Sequence, residues 1–249
     1  MGTSLTLGAG PRHNASRTSG QVKTTMATFS VLNAPNDPFA EVRRAMVESQ
    51  LRRRGVRDDR VLRAMGTVPR HEFVLPPYIH KAYDDEPLPI GRGQTISQPY
   101  IVAAMLAAAA LAGPERVLEI GTGCGYQAAI LGLLAREVYS LEFLSDLAQS
   151  AADRLESLGY ANVHVRCADG TLGWLEYAPY DAILIAAAAP RIPEPLLQQL
   201  AENGRLVAPV GDDGEQEIQI VRKREERLQV EHGVPCRFVP LVGKYGWVR

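Results

Sequence analysis

The segment Glu119-Ile120-Gly121-Thr122-Gly123-Cys124-Gly125-Tyr126 joins a short apolar run at residues 117–120 to a longer one at 126–135. A strand of that length, a Gly-x-Gly-x-Gly turn and a helix make a βα connection whose glycines let the backbone approach a ligand at the carboxyl end of a sheet. Downstream the alternation continues: strands at 138–141, 163–165, 182–186 and 206–208, with helices at 146–158 and 194–201, the last closed by Gly204. Short and long apolar stretches in that order predict βαβ crossovers and a parallel sheet. Three further strand-like runs, 217–221, 228–230 and 237–241, are separated by hairpin-length gaps and predict antiparallel edges. The expected fold is α/β: a doubly wound, mostly parallel sheet with antiparallel C-terminal strands and an N-terminal helical segment.

Upstream, Phe39, Val42, Met46, Val47 and Leu51 recur at helical spacing and Gly55 follows, which predicts an amphipathic helix starting near Asp37. Arg43, Arg44, Arg52, Arg53, Arg54 and Arg57 decorate it, and a solvated face is the expected reading of such a charge run. A second helix is expected at 58–65; residues 69–99 are dense in Pro and Gly and show no strong period. The apolar run at 101–112 falls short of the roughly 20 residues a spanning helix needs and reads as a buried helix. Residues 1–33 are rich in Gly, Ser, Thr and Ala without a continuous apolar stretch, so a flexible tail on a cytoplasmic chain is expected. Residues 34–249 then form a single domain, with a substrate-side segment at 34–114, a cofactor-binding core at 115–211 and C-terminal strands at 212–249.

Composition sets the outer limits. The chain has 249 residues, 46% hydrophobic and 22% charged, with 27 basic against 28 acidic side chains, which excludes a disordered chain and gives no general pull toward nucleic acid or anionic membranes. The three cysteines, Cys124, Cys167 and Cys236, have neither the number nor the spacing for a disulfide framework or a structural metal site. The histidines offer no triad, and no Gly-x-Ser-x-Gly elbow exists, so a hydrolase is a poor reading.

The turn itself points to chemistry. A dinucleotide fingerprint needs Gly or Ala at its sixth position, where Tyr126 stands, so a ligand without a pyrophosphate fits better. Glu142 ends the second strand of the unit, where a carboxylate can accept both hydroxyls of an adenosine ribose, and Asp169-Gly170 follows the third, within reach of an adenine edge. Each feature has a plainer reading, as a tight connection, an N-cap or a surface acid. Together, at three successive strand ends, they make an S-adenosylmethionine site with Glu119, Gly121, Thr122, Gly123, Gly125, Tyr126, Glu142, Asp169 and Gly170 as candidate cofactor contacts. The chain here resembles the class I, Rossmann-like methyltransferases.

The acceptor must be sought outside that unit. Ala82-Tyr83-Asp84-Asp85-Glu86-Pro87-Leu88-Pro89-Ile90-Gly91-Arg92-Gly93-Gln94-Thr95-Ile96-Ser97-Gln98-Pro99 resembles the signature of the protein-L-isoaspartate O-methyltransferases. Arg70, Phe73-Val74, Ile192-Pro193, Pro209-Val210-Gly211 and Phe238-Val239-Pro240-Leu241 match that family in order and spacing. The resemblance implies that Ser97 is the catalytic serine, that Thr95, Ile96 and Ser97 hold the acceptor, and that Val239 and Pro240 border a peptide groove. It also implies a monomeric enzyme that methylates L-isoaspartyl residues of damaged proteins and peptides, forms S-adenosyl-L-homocysteine, and needs no metal, nucleic acid or membrane. Two positions depart from the family pattern: Cys124 stands where serine is common and Ala186 where threonine is common.

Read without the family, Ser97 before Gln98-Pro99 is a good helix N-cap. Carboxylates are ionised near pH 7, so methyl transfer to one needs alignment and desolvation more than a base. The small Ala186-Ala187-Ala188-Ala189-Pro190 run after the fourth strand of the core suits such a pocket, and equally a buried strand end. A methyltransferase for another acceptor, a small acid or a nucleic acid, and a donor-binding adaptor without catalysis remain the competing readings.

Overall fold

The computed structural model describes residues 37–212 and 214–247, so the expected tail at 1–33 lies outside the described residues. The chain opens with α1 (Ala40–Met46), which continues as a π-type turn through Arg52 and buries Met46, Val47 and Leu51. Val42, expected on the buried face, is 47% exposed; the inward positions of this turn are held by Arg43, Met46 and Val47 instead. Arg43, expected in solvent, is buried: its guanidinium pairs with Asp37 at 2.6 Å and donates to the Gly66 carbonyl and the Tyr83 hydroxyl. The other arginines are partly neutralised within the chain, Arg52 by Glu48 and Asp59, Arg54 by Asp85.

Helix α2 (Asp59–Thr67) starts where Asp58 accepts from the Arg60 and Val61 amides. The segment without a period contains a two-stranded ribbon, β1 (Leu88–Gly91) and β2 (Gln94–Ile96). Its two-residue turn has Arg92 at φ 55° and Gly93 at φ 70°, the geometry that matches strand twist in tight hairpins. Leu88, Ile90 and Ile96 face inward, and Ile90 packs over the glycine turn. Helix α3 (Pro99–Ala109) follows, with Gln98 at its N-cap position; Ser97 does not cap it, contrary to the local sequence reading.

The central sheet holds β3 (Arg116–Ile120), β4 (Glu137–Glu142), β5 (Val163–Cys167), β6 (Tyr180–Ile185), β7 (Leu200–Gly211), β8 (Gln216–Arg224) and β9 (Arg227–Cys236), in the order β5-β4-β3-β6-β7-β8-β9. The first five pair in parallel and the last two add antiparallel. Helices α4 (Tyr126–Leu134), α5 (Ser145–Ser157) and α6 (Glu194–Gln198) lie between the parallel strands in sequence. Both faces are covered: Val117, Val138, Ala182, Leu184 and Val207 belong to one apolar cluster, and their neighbours Leu118, Tyr139, Ile183, Ile185 and Leu206 to the other. That explains why the strands read as continuous apolar runs rather than alternating ones.

Two elements differ from expectation. The helix at 194–201 ends at Gln198, because buried Gln199 binds the Leu172 carbonyl with its side chain and the Tyr180 amide with its own carbonyl, so strand pairing begins at Leu200. Residues 237–241 form no ladder. Their hydrogen bonds go to the Gln216 side chain and to Ala188, and Pro240 has no N–H to donate, so the segment leaves the sheet and crosses the carboxyl ends of its strands.

Candidate active site

Strand β3 has β4 on one side and β6 on the other, so the chain order reverses between β3 and β6, the place where open α/β sheets bind ligands. The glycine turn leaves β3 there with Gly121, Gly123 and Gly125 at φ 92°, 54° and 91°, a left-handed path other residues adopt only under strain. Across from it, Ala186 and Ala187 follow β6. A cavity of about 100 Å³ opens between them, at the carboxyl ends of β3 and β6.

Of the candidate residues, Thr95, Ile96, Ser97, Gly121, Thr122, Gly123, Tyr126, Glu142, Gly170, Val239 and Pro240 line this cavity. Glu142 is the single charged side chain among the lining residues. One oxygen accepts from the Gly123 amide at 2.8 Å and the other from the Leu144 amide at 3.0 Å, which fixes the carboxylate while leaving each oxygen a second lone-pair direction. Gly170 brings bare backbone to the wall, where a Cβ would stand 2.4 Å from Ile120 Cγ2.

Glu119, Gly125 and Asp169 are not among the lining residues. Asp169 turns its carboxylate to the Thr171 amide and hydroxyl and to the Lys244 amide, fastening the C-terminal segment to the end of β5. Glu119 lies fully buried behind the turn, where the Ser140 hydroxyl donates to it at 2.5 Å and Thr122 Oγ1 stands 2.6 Å from the same Ser140 oxygen. Burial, with Glu142 nearby, pushes the Glu119 carboxyl up to about 8 against the opposing Ser140 bond.

The folded state therefore holds a proton that the unfolded chain releases near pH ~4.3, so this group's contribution to stability is complete below that pH and is lost as pH rises toward about 8. Glu119→Gln, a mimic of the protonated carboxyl, should remove that loss. The gap in unfolding free energy between variant and wild type is expected to widen in the variant's favour by up to about 1.4 kcal/mol per pH unit between pH 5 and 8. Urea titrations at each pH measure it, and a constant gap contradicts the assignment.

Ser97 is half-buried and its hydroxyl has no hydrogen-bond partner among the described residues. Its carbonyl is held by Arg70, which is completely buried; Nη2 donates to Ser97 at 2.9 Å and Nε to Ala82 at 2.7 Å, while the guanidinium carbon lies 4.8 Å from the Tyr126 ring centre. A second cavity, of about 180 Å³, shares Thr95, Ser97, Ala186 and Val239 with the first. Ser97 thus stands where the two meet. Cys124 is buried; burial raises its thiol despite the nearby Arg70 and Arg154, so it packs rather than reacts.

Sequence reasoning missed Phe143 and Leu144 on the first cavity and Arg237 and Phe238 on the second. The first pair directly follows the strand-end acid, which is the signal that could have found them. Among the described residues, no three His, Cys, Asp or Glu side chains are grouped to hold a metal, and no helix is long and apolar enough to cross a membrane.

A sheet of this order, with its glycine turn and strand-end carboxylate at the switch point, defines a class I S-adenosylmethionine-dependent methyltransferase. The family model described as protein-L-isoaspartate(D-aspartate) O-methyltransferase matches residues 41–246. A Picosynechococcus protein named protein-L-isoaspartate O-methyltransferase is 53% identical over 212 residues, covering 85% of this chain and 95% of its own. One of the same name from Koribacter versatilis is 54% identical over 209 residues, 84% of this chain and 94% of that one. A Plasmodium falciparum structure, described as a protein-L-isoaspartate O-methyltransferase in complex with S-adenosyl-L-homocysteine, superposes with a TM-score of 0.70 at 26% identity, over 80% of this chain and 98% of that one. The chain belongs to the protein-L-isoaspartate(D-aspartate) O-methyltransferase family.

Proposed function

We infer that the chain transfers a methyl group from S-adenosylmethionine to the free α-carboxyl of L-isoaspartyl residues in damaged proteins and peptides, which starts their repair. The observation that carries the assignment of roles is the junction of two cavities at Ser97, one bearing Glu142, neither lined by a histidine or lysine. An amine or alcohol acceptor needs its proton removed; a carboxylate arrives already ionised, and this junction suits it.

S-adenosylmethionine, when bound, would supply an electrophilic sulfonium methyl, whose carbon bonds to a carboxylate oxygen as its bond to sulfur breaks, giving a methyl ester and neutral S-adenosyl-L-homocysteine. Glu142 accepts the ribose hydroxyls with the lone pairs its amide contacts leave over. The glycine turn and Gly170 admit the rest of the donor against bare backbone, with Thr122 and Tyr126 beside it. The Ser97 hydroxyl donates to the acceptor carboxylate, and Thr95, Ile96, Val239 and Pro240 border the peptide. Ala186 and Ala187, which line the first cavity, exclude water from the line of transfer. Once the ester has formed, the following backbone amide nitrogen attacks its carbonyl and expels methanol, and water opens the resulting succinimide partly to normal aspartate.

We take the chain to act as a monomer. The three cysteines are free, which favours a reducing compartment and the cytoplasm. Incubation with labelled S-adenosylmethionine and an isoaspartyl peptide should yield a base-labile methyl ester and one S-adenosyl-L-homocysteine per ester. Ser97→Ala removes one hydrogen bond to a charged group and should lower kcat/KM for that peptide by about 10–100-fold, far more than it shifts the Kd for the donor. Full activity in the variant contradicts the role given to Ser97.

A further inference from the structure

The second cavity has a property that the methyl transfer itself does not use. Arg237 is the single charged side chain among its lining residues, it is exposed, and it makes no hydrogen bond or ion pair among the described residues. Glu217, which faces Pro235 across the β8–β9 ladder, is already matched by His232 at 2.5 Å. Phe238, next in the chain, is pinned through its amide to Gln216 Oε1 at 2.7 Å, and Val239 through its carbonyl to the Ala188 amide at 2.8 Å. The backbone that carries Arg237 is therefore fixed while its guanidinium is uncommitted, the arrangement of a group kept for a ligand.

Its position decides which ligand group it meets. The residues common to both cavities, among them Ser97 and Val239, mark the place where the reacting carboxylate meets the donor. Arg237 lines the outer cavity only, two residues from Val239 and so at most about 7 Å along the chain, the distance at which an extended peptide places a neighbouring residue. A guanidinium presents a planar fork of donors that matches a carboxylate in two-point contact. We propose that Arg237 is a specificity-determining residue, which favours acceptor peptides carrying an aspartate or glutamate within two residues of the isoaspartyl group. The proposal rests on the methyl-transfer reading above and concerns the choice among its substrates.

The test uses the full chain and isoaspartyl peptides identical except for Glu, Gln or Lys at one of the two positions on either side of the acceptor. The readout is the ratio of kcat/KM for the Glu peptide to that for the Gln peptide within one enzyme, so a general loss of activity in a variant cancels. Wild type should favour Glu by about three- to tenfold at one or more positions, and less at high salt. Arg237→Gln should bring that ratio to about one, and Arg237→Glu should transfer the preference to the Lys peptide. A ratio of one at all four positions in wild type, or a Glu preference that survives in Arg237→Gln, overturns the proposal. Failure to methylate any isoaspartyl peptide would instead overturn the reading of the reaction.

Discussion

Replacing Glu142 with alanine should weaken binding of S-adenosylmethionine about a hundredfold or more, the effect of losing two hydrogen bonds to a charged acceptor at about 1.5–3 kcal/mol each. The carboxylate is held by the Gly123 and Leu144 amides, so its loss also frees the glycine turn that shapes the cavity. Glutamine is no conservative replacement. Both oxygens accept from backbone amides, and an amide NH2 would set donor against donor at one of them. Glu142→Gln should therefore lose most of what alanine loses, and S-adenosyl-L-homocysteine, which carries the same ribose, should be affected equally. Calorimetric titration of both ligands reads the effect; a shift below about threefold would remove Glu142 from the ribose.

Arg70→Ala should destabilise the fold by about 3–5 kcal/mol, since it opens a cavity and leaves buried carbonyls unpaired. The guanidinium is completely buried, and burial pulls its pKa below the ordinary value. It spans Ala82 before the ribbon, Ser97 after it and the Tyr126 ring of α4; of these, Ser97 lines both cavities and Tyr126 the first. Arg70→Met separates the two consequences. Methionine fills much of the volume and removes a costly buried charge, so stability should recover in part. The Ser97 carbonyl would still be released, and kcat/KM for peptide should stay at least about tenfold down while the Kd for the donor moves little. A Met variant with normal peptide kinetics would make Arg70 a purely structural residue.

The sequence was most legible where burial is continuous and partners are near. Strands β3, β4 and β6 show themselves because both of their faces are covered, the edge strand β5 by the alternation of Val163 and Val165 with exposed neighbours, and Glu142 is found by its place at a strand end. What a strand-end position does not disclose is where the side chain turns. Asp169 and Glu142 occupy equivalent ends, yet Asp169 is claimed by the Lys244 amide 75 residues away and Glu142 by the cavity. Glu119 looks like a ligand contact in sequence, but its side chain points to Ser140 on the neighbouring strand rather than to the cavity. Arg43 and Arg70 read as surface charge or motif, and only the tertiary carbonyls of Gly66, Ala82 and Ser97 explain why they are inside.

The position of Ser97 on the cavity was legible for a different reason. Local preference made Ser97 a helix cap, and the family motif made it a substrate contact; the cap position went to Gln98, leaving the hydroxyl without a partner among the described residues. The ribbon that delivers it was hidden because β1 and β2 are short, and their signal is only the alternation of Leu88 and Ile90 before the Arg92-Gly93 turn. Residues 237–241 have the composition of a strand, but Pro240 and the bonds to Ala188 and Gln216 draw them over the cavity instead. That displacement puts Val239 and Arg237 where an acceptor peptide can meet them.

The decisive measurement is methyl transfer from labelled S-adenosylmethionine to two peptides of identical sequence, one with L-isoaspartate and one with normal L-aspartate at the same position, scored as base-labile ester. The isoaspartyl peptide alone should be labelled. Equal labelling of both peptides, or labelling of neither by an enzyme that binds the donor, would contradict the assignment of this site to isoaspartyl carboxyl groups.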